Sequence, residues 1–141
     1  MRICVTGASG FLGRHVCDAL ERGRHTVVPV PGRNELDLRT RLLPPYRADV
    51  LVHLAYPGTK GIQTAMEAPA DLVSDQLRID LNVLESAARQ KVTKLICIGS
   101  VCEYPEHVRY PTDETQLWSG YPESVNAPYG IAKRMQQGLL D

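Results

Sequence analysis

The chain has 141 residues, 43% hydrophobic and 23% charged, which is an ordinary balance for a globular protein in water. Sixteen Lys and Arg residues balance sixteen Asp and Glu residues, so the formal net charge at pH 7 is zero. A nucleic-acid or membrane-surface partner usually requires a basic excess, and this composition has none. The chain contains no apolar run near the ~20 residues of a membrane span, and its start, MRICVTGASGFLG, has no run long enough for a signal peptide. We therefore expect a cytoplasmic protein with no nucleic-acid or membrane partner.

The four cysteines do not form a metal-binding pattern. Cys4, Cys17, Cys97 and Cys102 include no pair with the C-x-x-C spacing of zinc ligands, so we expect no metal site. Cys4 and Cys97 lie in apolar runs typical of buried strands. We interpret them, together with Cys17, as reduced thiols that act as small hydrophobic side chains.

Apolar runs and turn residues predict alternating strands and helices. The predicted strands cover 2–6, 25–30, 49–55 and 94–100, and the predicted helices cover 11–22 and 69–90, with a third beginning near Pro128. Between them we expect turns with a short helix at 32–42, a loop at 56–64 and a long irregular segment at 101–128. The strands are apolar on both faces and alternate with helices. The sequence therefore predicts an α/β fold, a Rossmann-type doubly wound parallel sheet, in a single domain of residues 1–141.

The glycine-rich segment TGASGFLG follows the first predicted strand and opens the first predicted helix. Gly7, Gly10 and Gly13 stand three residues apart, a spacing that permits a tight turn and the close approach of a pyrophosphate. The helix N-terminus then offers free N–H groups and the positive end of its dipole to the phosphates. An ordinary glycine-rich turn is the alternative. The strand–turn–helix context favours a dinucleotide site, and it makes 1–141 a dinucleotide-binding domain.

The end of the second predicted strand bears on the kind of dinucleotide. NAD sites usually carry an Asp or Glu there, which binds the ribose hydroxyls. Here the strand ends VVPVPGR without an acid, whereas Arg14 follows the last glycine and Arg33 follows the strand. Two guanidinium groups suit a 2′-phosphate, so we expect NADP(H) as the cofactor in preference to NAD(H). The alternative is that both arginines are ordinary surface residues.

Tyr129 and Lys133, in NAPYGIAKRMQQ, stand one helical turn apart on the same face of the last predicted helix. A free Tyr has a pKa near ~10, and a nearby ammonium group lowers that pKa toward neutral pH. Ser100 ends the fourth predicted strand, at the sheet edge where α/β proteins bind ligands, and could hold a substrate oxygen. Each of these residues is weak evidence alone. The three together, with the glycine turn, are a strong indication of proton-transfer chemistry.

These motifs resemble the extended short-chain dehydrogenase/reductases that act on nucleotide sugars, the NAD-dependent epimerase/dehydratase family. The resemblance runs over the whole chain and rests on TGASGFLG, HLA at 53–55, GS at 99–100 and YGIAK at 129–133. Within that family it is closest to the GDP-L-fucose synthases, in the GTKGI loop, in IGSVCEYP and in NAPYGIAK. It implies an enzyme for NADPH-dependent reduction of a GDP-4-keto-6-deoxy sugar, with 3,5-epimerisation as an additional step.

The resemblance also implies roles for individual residues. Ser100 would hydrogen-bond the sugar 4-keto oxygen, Tyr129 would protonate it, and Lys133 would lower the pKa of Tyr129 and bind the nicotinamide ribose. Cys102 would be the base of the epimerisation, with a buried thiol as the alternative. The cofactor-binding residues implied in the same way are Gly7, Ser9, Gly10, Phe11, Leu12, Gly13, Arg14, Arg33, Asp37, Leu38, Leu54, Ala55, Tyr56, Tyr129 and Lys133.

The chain departs from the family at several points. Related dehydratases carry an Asp–Glu pair after the strand-end hydroxyl residue, whereas this chain has Val101 and Cys102, with Glu103 one position late. This difference argues against a 4,6-dehydratase. The histidine that acts with the family's cysteine has no counterpart by motif. His107, on the irregular segment, is the one histidine that could face the site, and His53 is interpreted as a core residue.

The family's C-terminal substrate domain also has no counterpart in these 141 residues. We expect a chain truncated after the Tyr-x-x-x-Lys helix, a natural short protein, or a chain completed by a partner, and an exposed sheet edge would favour a homodimer. Two other functions stay open: another nucleotide-sugar 4-epimerase or reductase, and a non-catalytic dinucleotide-binding module.

Overall fold

The computed structural model describes residues 1–58 and 67–140. By their packing these residues form two compact units. The first comprises Met1–Tyr56 and Arg78–Ile98, and the second comprises the described residues of Pro57–Leu77 and Gly99–Asp141. In the described part of the chain no helix is long and apolar enough to cross a membrane.

The first unit contains a four-stranded parallel sheet. Its strands are β1 (Arg2–Thr6), β2 (Thr26–Pro29), β3 (Val50–His53) and β4 (Lys94–Cys97), in the spatial order β2-β1-β3-β4. Ile3 of β1 pairs with Val27 on one side and with Val50 on the other. Because the chain leaves β1 toward β2 and later returns to β3 on the opposite side, the carboxyl ends of β1 and β3 form a topological switch point. In open α/β sheets this is where ligands bind.

Helices cover both faces of this sheet. Helix α1 (Phe11–Arg22) packs on the face formed by Ile3, Val5, Val50 and Val52. Residues of helix α2 (Pro69–Gln90), among them Ile79, Val83 and Ala87, pack on the other face with Cys4 and Leu51. Successive strand residues alternate between the two faces, so a strand can be apolar throughout only when both faces are covered. The predicted doubly wound parallel sheet is confirmed, and both helices have the predicted bounds.

The segment between β2 and β3 forms turns, so the short helix predicted within 32–42 is wrong. The Asp37 carboxylate accepts a hydrogen bond from the Arg39 N–H at 3.0 Å, and such a local bond competes with helix formation. Helix α2 holds this segment in place. Asn82 Nδ2 donates to the Leu38 carbonyl at 2.7 Å, and the Leu43 N–H donates to Ser86 Oγ at 2.8 Å.

The prediction that 94–100 is buried on both faces is wrong, because side chains on one face of β4 are exposed. Strand β4 is also the last strand of the described sheet. The strand ends at Cys97, and Ile96 and Ile98 are 38% and 43% exposed. Leu95, the residue before Ile96, packs against the same core as α2. The apolar run thus identified a strand, but only one of its faces is covered by the described residues.

The second unit contains helix α3 (Ala127–Gly138), which begins as predicted with Pro128 in its first turn. The segment before it, predicted to be irregular, contains two short 3₁₀ helices, Val101–Glu103 and Glu114–Gln116, and a bridge between Pro105 and Pro122. The loop predicted at 56–64 is described only as far as Gly58, and the rest of it lies outside the described residues.

Candidate cofactor turn and candidate proton-transfer segment

The glycine turn between β1 and α1 is closely packed. Gly7 has a φ of +66°, a conformation that other residues rarely adopt. A Cβ at Gly7 would lie 2.7 Å from the backbone of Leu54, and a Cβ at Gly13 would lie 2.1 Å from the Gly7 carbonyl oxygen. Helix α1 and the residue that follows β3 therefore both pack directly against the backbone of the turn. Two of the three predicted glycines are required by backbone contacts alone.

The N-terminus of α1 fits an anionic group. Gly10 is the N-cap and makes no side-chain capping bond, and the first turn contains no acidic residue. The first N–H groups of a helix have no partners within the helix, and the helix dipole places positive charge there. Phe11, Leu12 and Arg14 lie in this first turn, and all three are exposed. The turn and the helix start thus have the form and charge that a pyrophosphate needs.

Charged residues cluster after β2. Arg39 makes a bidentate hydrogen bond to Asp37, with Nε at 2.9 Å and 3.1 Å from the two carboxylate oxygens. Arg33 Nε lies 3.8 Å from Asp37 Oδ2. The hydrogen bonds from Arg39, and then the nearby charges, lower the pKa of Asp37 from 3.8 to about 2. A Cβ at Gly32 would lie 3.8 Å from Ser9 Oγ, so this segment passes close to the glycine turn.

The structure thus brings Ser9, the glycines, Arg33 and Asp37 together within the first unit, and it adds Arg39. Arg39 is not among the residues predicted from the sequence, although an acid and a base two residues apart in a polar turn are a visible signal. The other predicted cofactor residues of this unit differ in exposure. Leu38 is buried in the core on the α2 side, Leu54 and Ala55 are half-buried beside the two cores, and Tyr56 is 38% exposed.

In the second unit, Ser100 caps the first 3₁₀ helix. Its hydroxyl oxygen accepts a hydrogen bond from the Cys102 N–H at 3.2 Å, and its own N–H donates to the Glu103 carboxylate. The two bonds form a capping box, which fixes the backbone around Ser100. The hydroxyl keeps its hydrogen for another acceptor, so it can donate to a substrate oxygen.

Helix α3 packs directly on this Ser100 turn. A Cβ at Gly130 would lie 2.1 Å from the Cys102 carbonyl oxygen, so only glycine permits this approach. The contact brings Tyr129, the neighbour of Gly130, to the turn that carries Ser100. Lys133 lies one helical turn further on, is buried, and donates from Nζ to Gln136 Oε1 at 3.0 Å. Cys102 is a half-buried free thiol.

Arg134 and Glu103 join the helix to the turn, and sequence reasoning missed both roles. The Arg134 guanidinium donates to the Glu103 carbonyl and, at 2.9 Å, to the Gly120 carbonyl, and it lies 5.3 Å from the Trp118 ring centroid. Burial raises the pKa of the Glu103 carboxyl, although the Ser100 N–H and the charges of Lys133 and Arg134 oppose that shift. The role of Arg134 has no local sequence signal, because its acceptors lie far along the chain. For Glu103 the signal was the spacing Ser100-x-x-Glu103 of a capping box.

A cavity of about 680 Å³ lies within the second unit. Ser100, Glu103, Glu114, Trp118 and Gln137 are among its lining residues. Tyr129, Lys133, Cys102 and His107 do not line this cavity. His107 is exposed. Most of the GTKGI segment, 59–62, lies outside the described residues.

A parallel sheet with helices on both faces and a glycine turn at its switch point defines a Rossmann-like α/β protein. The model of the NAD dependent epimerase/dehydratase family matches residues 3–141. The chain belongs to that family, which confirms the resemblance drawn from its motifs.

Individual relatives agree with this assignment. The chain is 31% identical over 136 residues to GDP-L-fucose synthase of Escherichia coli K12, covering 94% of this chain and 42% of that protein. A solved GDP-L-fucose synthetase from Naegleria fowleri bound to NADP superposes with a TM-score of 0.79 at 26% identity, covering 98% of this chain and 42% of that one. UDP-glucose 4-epimerase from Thermotoga maritima gives 0.79 at 27% identity, covering 99% and 50%. The chain thus spans about two-fifths of the length of the curated relatives it matches.

Proposed function

We propose that this chain is the cofactor-binding and proton-transfer part of an NADPH-dependent reductase, or epimerase-reductase, of a GDP-4-keto-6-deoxy sugar. The observation that carries the proposal is the glycine turn, where Gly13 and Gly7 meet at the uncapped start of α1. The family membership and the GDP-L-fucose synthase relatives support the choice of substrate class. We also propose that residues 1–141 act as one dinucleotide-binding domain.

For the cofactor, the proposed contacts follow from charge and space. The pyrophosphate would lie on the N–H groups at the start of α1, where a side chain at position 10 would intrude. Gly13 instead lets α1 pack on the backbone of the turn. Arg33 is 61% exposed along its side chain, so its guanidinium is available for a 2′-phosphate. Arg39 is held by Asp37 and would add positive charge at the same place. Arg14, on the first turn of α1, completes the group.

For the reduction, the bound dinucleotide would supply a hydride to the sugar carbonyl carbon. Ser100 donates its free hydroxyl hydrogen to the carbonyl oxygen and so orients the ketone. Tyr129 donates its phenolic proton to that oxygen as negative charge develops there. Lys133 stabilises the phenolate that Tyr129 leaves behind. The capping box and Gly130 hold these groups on one turn and one helix.

For the epimerisation, Cys102 is the proposed base. Its thiol follows Ser100 by two residues, on the 3₁₀ helix that the capping box fixes. A thiolate there would remove a proton alpha to the ketone, and the ketone held by Ser100 would stabilise the resulting negative charge.

We also propose a homodimer. Strand β4 is the last strand of the described sheet, and an uncovered edge strand favours pairing. Ile96 in β4 and Ile98 just after it add exposed apolar surface there. Light scattering coupled to gel filtration tests this directly: a mass of two chains is expected, and a monomer at micromolar concentration contradicts it.

The first test of the function is a calorimetric titration of the purified chain with NADPH and with NADH. We expect saturable binding that favours NADPH. An Arg33→Gln, Arg39→Gln double variant should lose the preference for NADPH while still binding NADH. Equal affinity of the wild type for the two dinucleotides contradicts the 2′-phosphate assignment, and binding of neither contradicts the cofactor function itself.

The second test addresses turnover. Consumption of NADPH in the presence of a GDP-4-keto-6-deoxy sugar is expected for the wild type, and Tyr129→Phe should abolish it with little change in NADPH affinity. Turnover retained in Tyr129→Phe contradicts the catalytic role. NADPH binding without turnover of any 4-keto sugar identifies a non-catalytic dinucleotide-binding module, and turnover of a UDP-sugar alone identifies the other nucleotide-sugar class.

A further inference from the structure

Three buried side chains next to the glycine turn form a hydrogen-bonded chain that the proposed function does not use. Thr6 Oγ1 lies 2.7 Å from His53 Nδ1, and His53 Nε2 lies 2.9 Å from Asp80 Oδ1. Each of these residues is at most 2% exposed. Thr6 ends β1, His53 ends β3 and Asp80 lies on α2. The chain of bonds therefore runs from the helix through the two central strands to the switch point of the sheet.

The direction of each bond follows from the hydrogens available. Thr6 Oγ1 accepts hydrogen bonds from the N–H groups of Leu54 and Ala55, both at 3.1 Å. A hydroxyl accepts two such bonds and keeps one hydrogen to donate, so that hydrogen points to His53 Nδ1. His53 Nδ1 is then an acceptor, and the ring carries its hydrogen on Nε2 and donates it to Asp80. The hydrogen-bond network thus assigns the Nε2–H tautomer.

The same peptide that donates to Thr6 shapes the glycine turn. A Cβ at Gly7 would lie 2.7 Å from the Leu54 carbonyl carbon and 2.8 Å from the Ala55 nitrogen. The Leu54–Ala55 peptide therefore lies against Gly7, and the Thr6 hydroxyl holds that peptide there. Gly7 in turn packs against helix α1 at Gly13.

We propose that Asp80 is a positioning residue for the dinucleotide site: it holds His53 in one tautomer and so fixes the Thr6 hydroxyl and the Leu54–Ala55 peptide against the Gly7 turn. This inference rests on the proposed cofactor function and adds a residue on a different helix to that site. Without the acceptor at position 80, the His53 N–H is buried and unsatisfied. The ring is then free to change tautomer or turn, Thr6 loses its acceptor, and a cofactor has to order the turn as it binds.

Two substitutions at position 80 distinguish the effect of losing the hydrogen-bond acceptor from the effect of changed packing. Asp80→Leu keeps the same number and branching of side-chain heavy atoms but has no acceptor, whereas Asp80→Asn keeps an oxygen that can accept from His53. The matched control is Ser86→Ala on the same helix. Ser86 is also buried and hydrogen-bonded. Its partners are Leu43, in the segment between β2 and β3, and Asn82, on the same helix. It has no bond to the turn.

The first readout is NADPH affinity by calorimetry. We expect Asp80→Leu to bind about tenfold or more weakly. Asp80→Asn and Ser86→Ala should stay within about threefold of the wild type. Unchanged affinity in Asp80→Leu overturns the proposal. Equal loss in Asp80→Leu and Asp80→Asn overturns it as well, because an acceptor is then not what matters.

The second readout needs no cofactor, and so it separates this inference from the proposed function. Nitrogen-15 spectra of the imidazole should show His53 as the Nε2–H tautomer in the wild type and in Asp80→Asn. In Asp80→Leu the Leu54 and Ala55 amide hydrogens should exchange faster than in Ser86→Ala. An Nδ1–H tautomer in the wild type overturns the proposal even if Asp80→Leu fails to fold. If the wild type shows the Nε2–H tautomer and the expected exchange rates but does not bind NADPH, the proposed cofactor function is wrong. The role of Asp80 in positioning the turn would still be supported.

Discussion

A Cβ at Gly130 would lie 2.1 Å from the carbonyl oxygen of Cys102. This contact joins the helix that carries Tyr129 and Lys133 to the turn that carries Ser100. Gly130→Ala cannot be relieved by turning a side chain, because the opposing atom belongs to the backbone. We expect a loss of about 1–3 kcal/mol in the free energy of unfolding, measured by urea titration.

A control for Gly130→Ala is available on the same helix. A Cβ at Gly138 would meet only the Trp118 ring, at an ordinary 3.8 Å. Gly138→Ala should therefore change the stability by no more than about 0.5 kcal/mol, or raise it slightly through helix propensity. Equal losses in the two variants would show that the Cys102 contact is not the reason.

Gly13→Ala tests the cofactor turn in the same way. The added methyl would lie 2.1 Å from the Gly7 carbonyl oxygen and 2.7 Å from the Ala8 Cα. Either α1 or the turn must move, so we expect NADPH binding to be lost in calorimetry. Gly138→Ala is the control, because its added methyl would make only an ordinary contact with the Trp118 ring, at 3.8 Å. Loss of binding in Gly138→Ala, or its retention in Gly13→Ala, contradicts this account of the turn.

The sequence predicts those features that depend on neighbouring residues. The bounds of α1 follow from the glycine turn and Gly23, and the glycine spacing locates the candidate phosphate site. The exposure of Ile96 cannot be predicted from the sequence, because a short apolar run has the same pattern whether its strand is central or at the edge of a sheet. Which strands lie beside it depends on the whole topology.

The difference between local patterns and long-range contacts also explains which site residues can be predicted from the sequence and which cannot. Tyr129 and Lys133 are visible because they occupy one helix face. Arg134 is one residue further along, yet its role depends on carbonyls of Glu103 and Gly120, which no spacing reveals. His53 was interpreted as a core residue, and it is buried, but its bonds to Thr6 and Asp80 could not be derived from the chain order.

The Asp37–Arg39 pair predicts an acid-dependent change. The pKa of Asp37 is lowered from 3.8 to about 2, so its carboxylate stabilises the folded state above about pH 4 and that contribution is lost as pH falls through about 2. Arg39→Gln removes the largest cause and should move the pKa back toward 3.8, as measured by carboxyl carbon-13 titration. Arg33→Gln removes only the smallest of these causes and should shift the pKa of Asp37 much less. If Arg33→Gln has the larger effect, the bidentate pair is not what lowers the pKa.

Glu103 predicts the opposite pH dependence. Burial raises its pKa above the ordinary 4.5, so the neutral acid suits the folded state. The stability it contributes is full below about pH 4.5 and is lost as pH rises through the folded-state pKa. Glu103→Gln keeps an oxygen for the Ser100 N–H and does not ionise. Urea titrations between about pH 4 and 8 should therefore show the wild type losing stability relative to Glu103→Gln as pH rises.

Asp113 provides a control of opposite sign for Glu103. Hydrogen bonds from Thr115 lower the pKa of Asp113 from its ordinary 3.8, so its contribution is present above about pH 4 and is lost only as pH falls further. The wild type should lose stability relative to Asp113→Asn only below about pH 4, and relative to Glu103→Gln as pH rises toward neutral. A Glu103→Gln difference that is flat across this range would mean that the pKa of Glu103 is the same in the folded and unfolded states. A wild type that gains stability relative to Glu103→Gln as pH rises would mean that the Ser100 N–H, together with Lys133 and Arg134, outweighs the burial of Glu103.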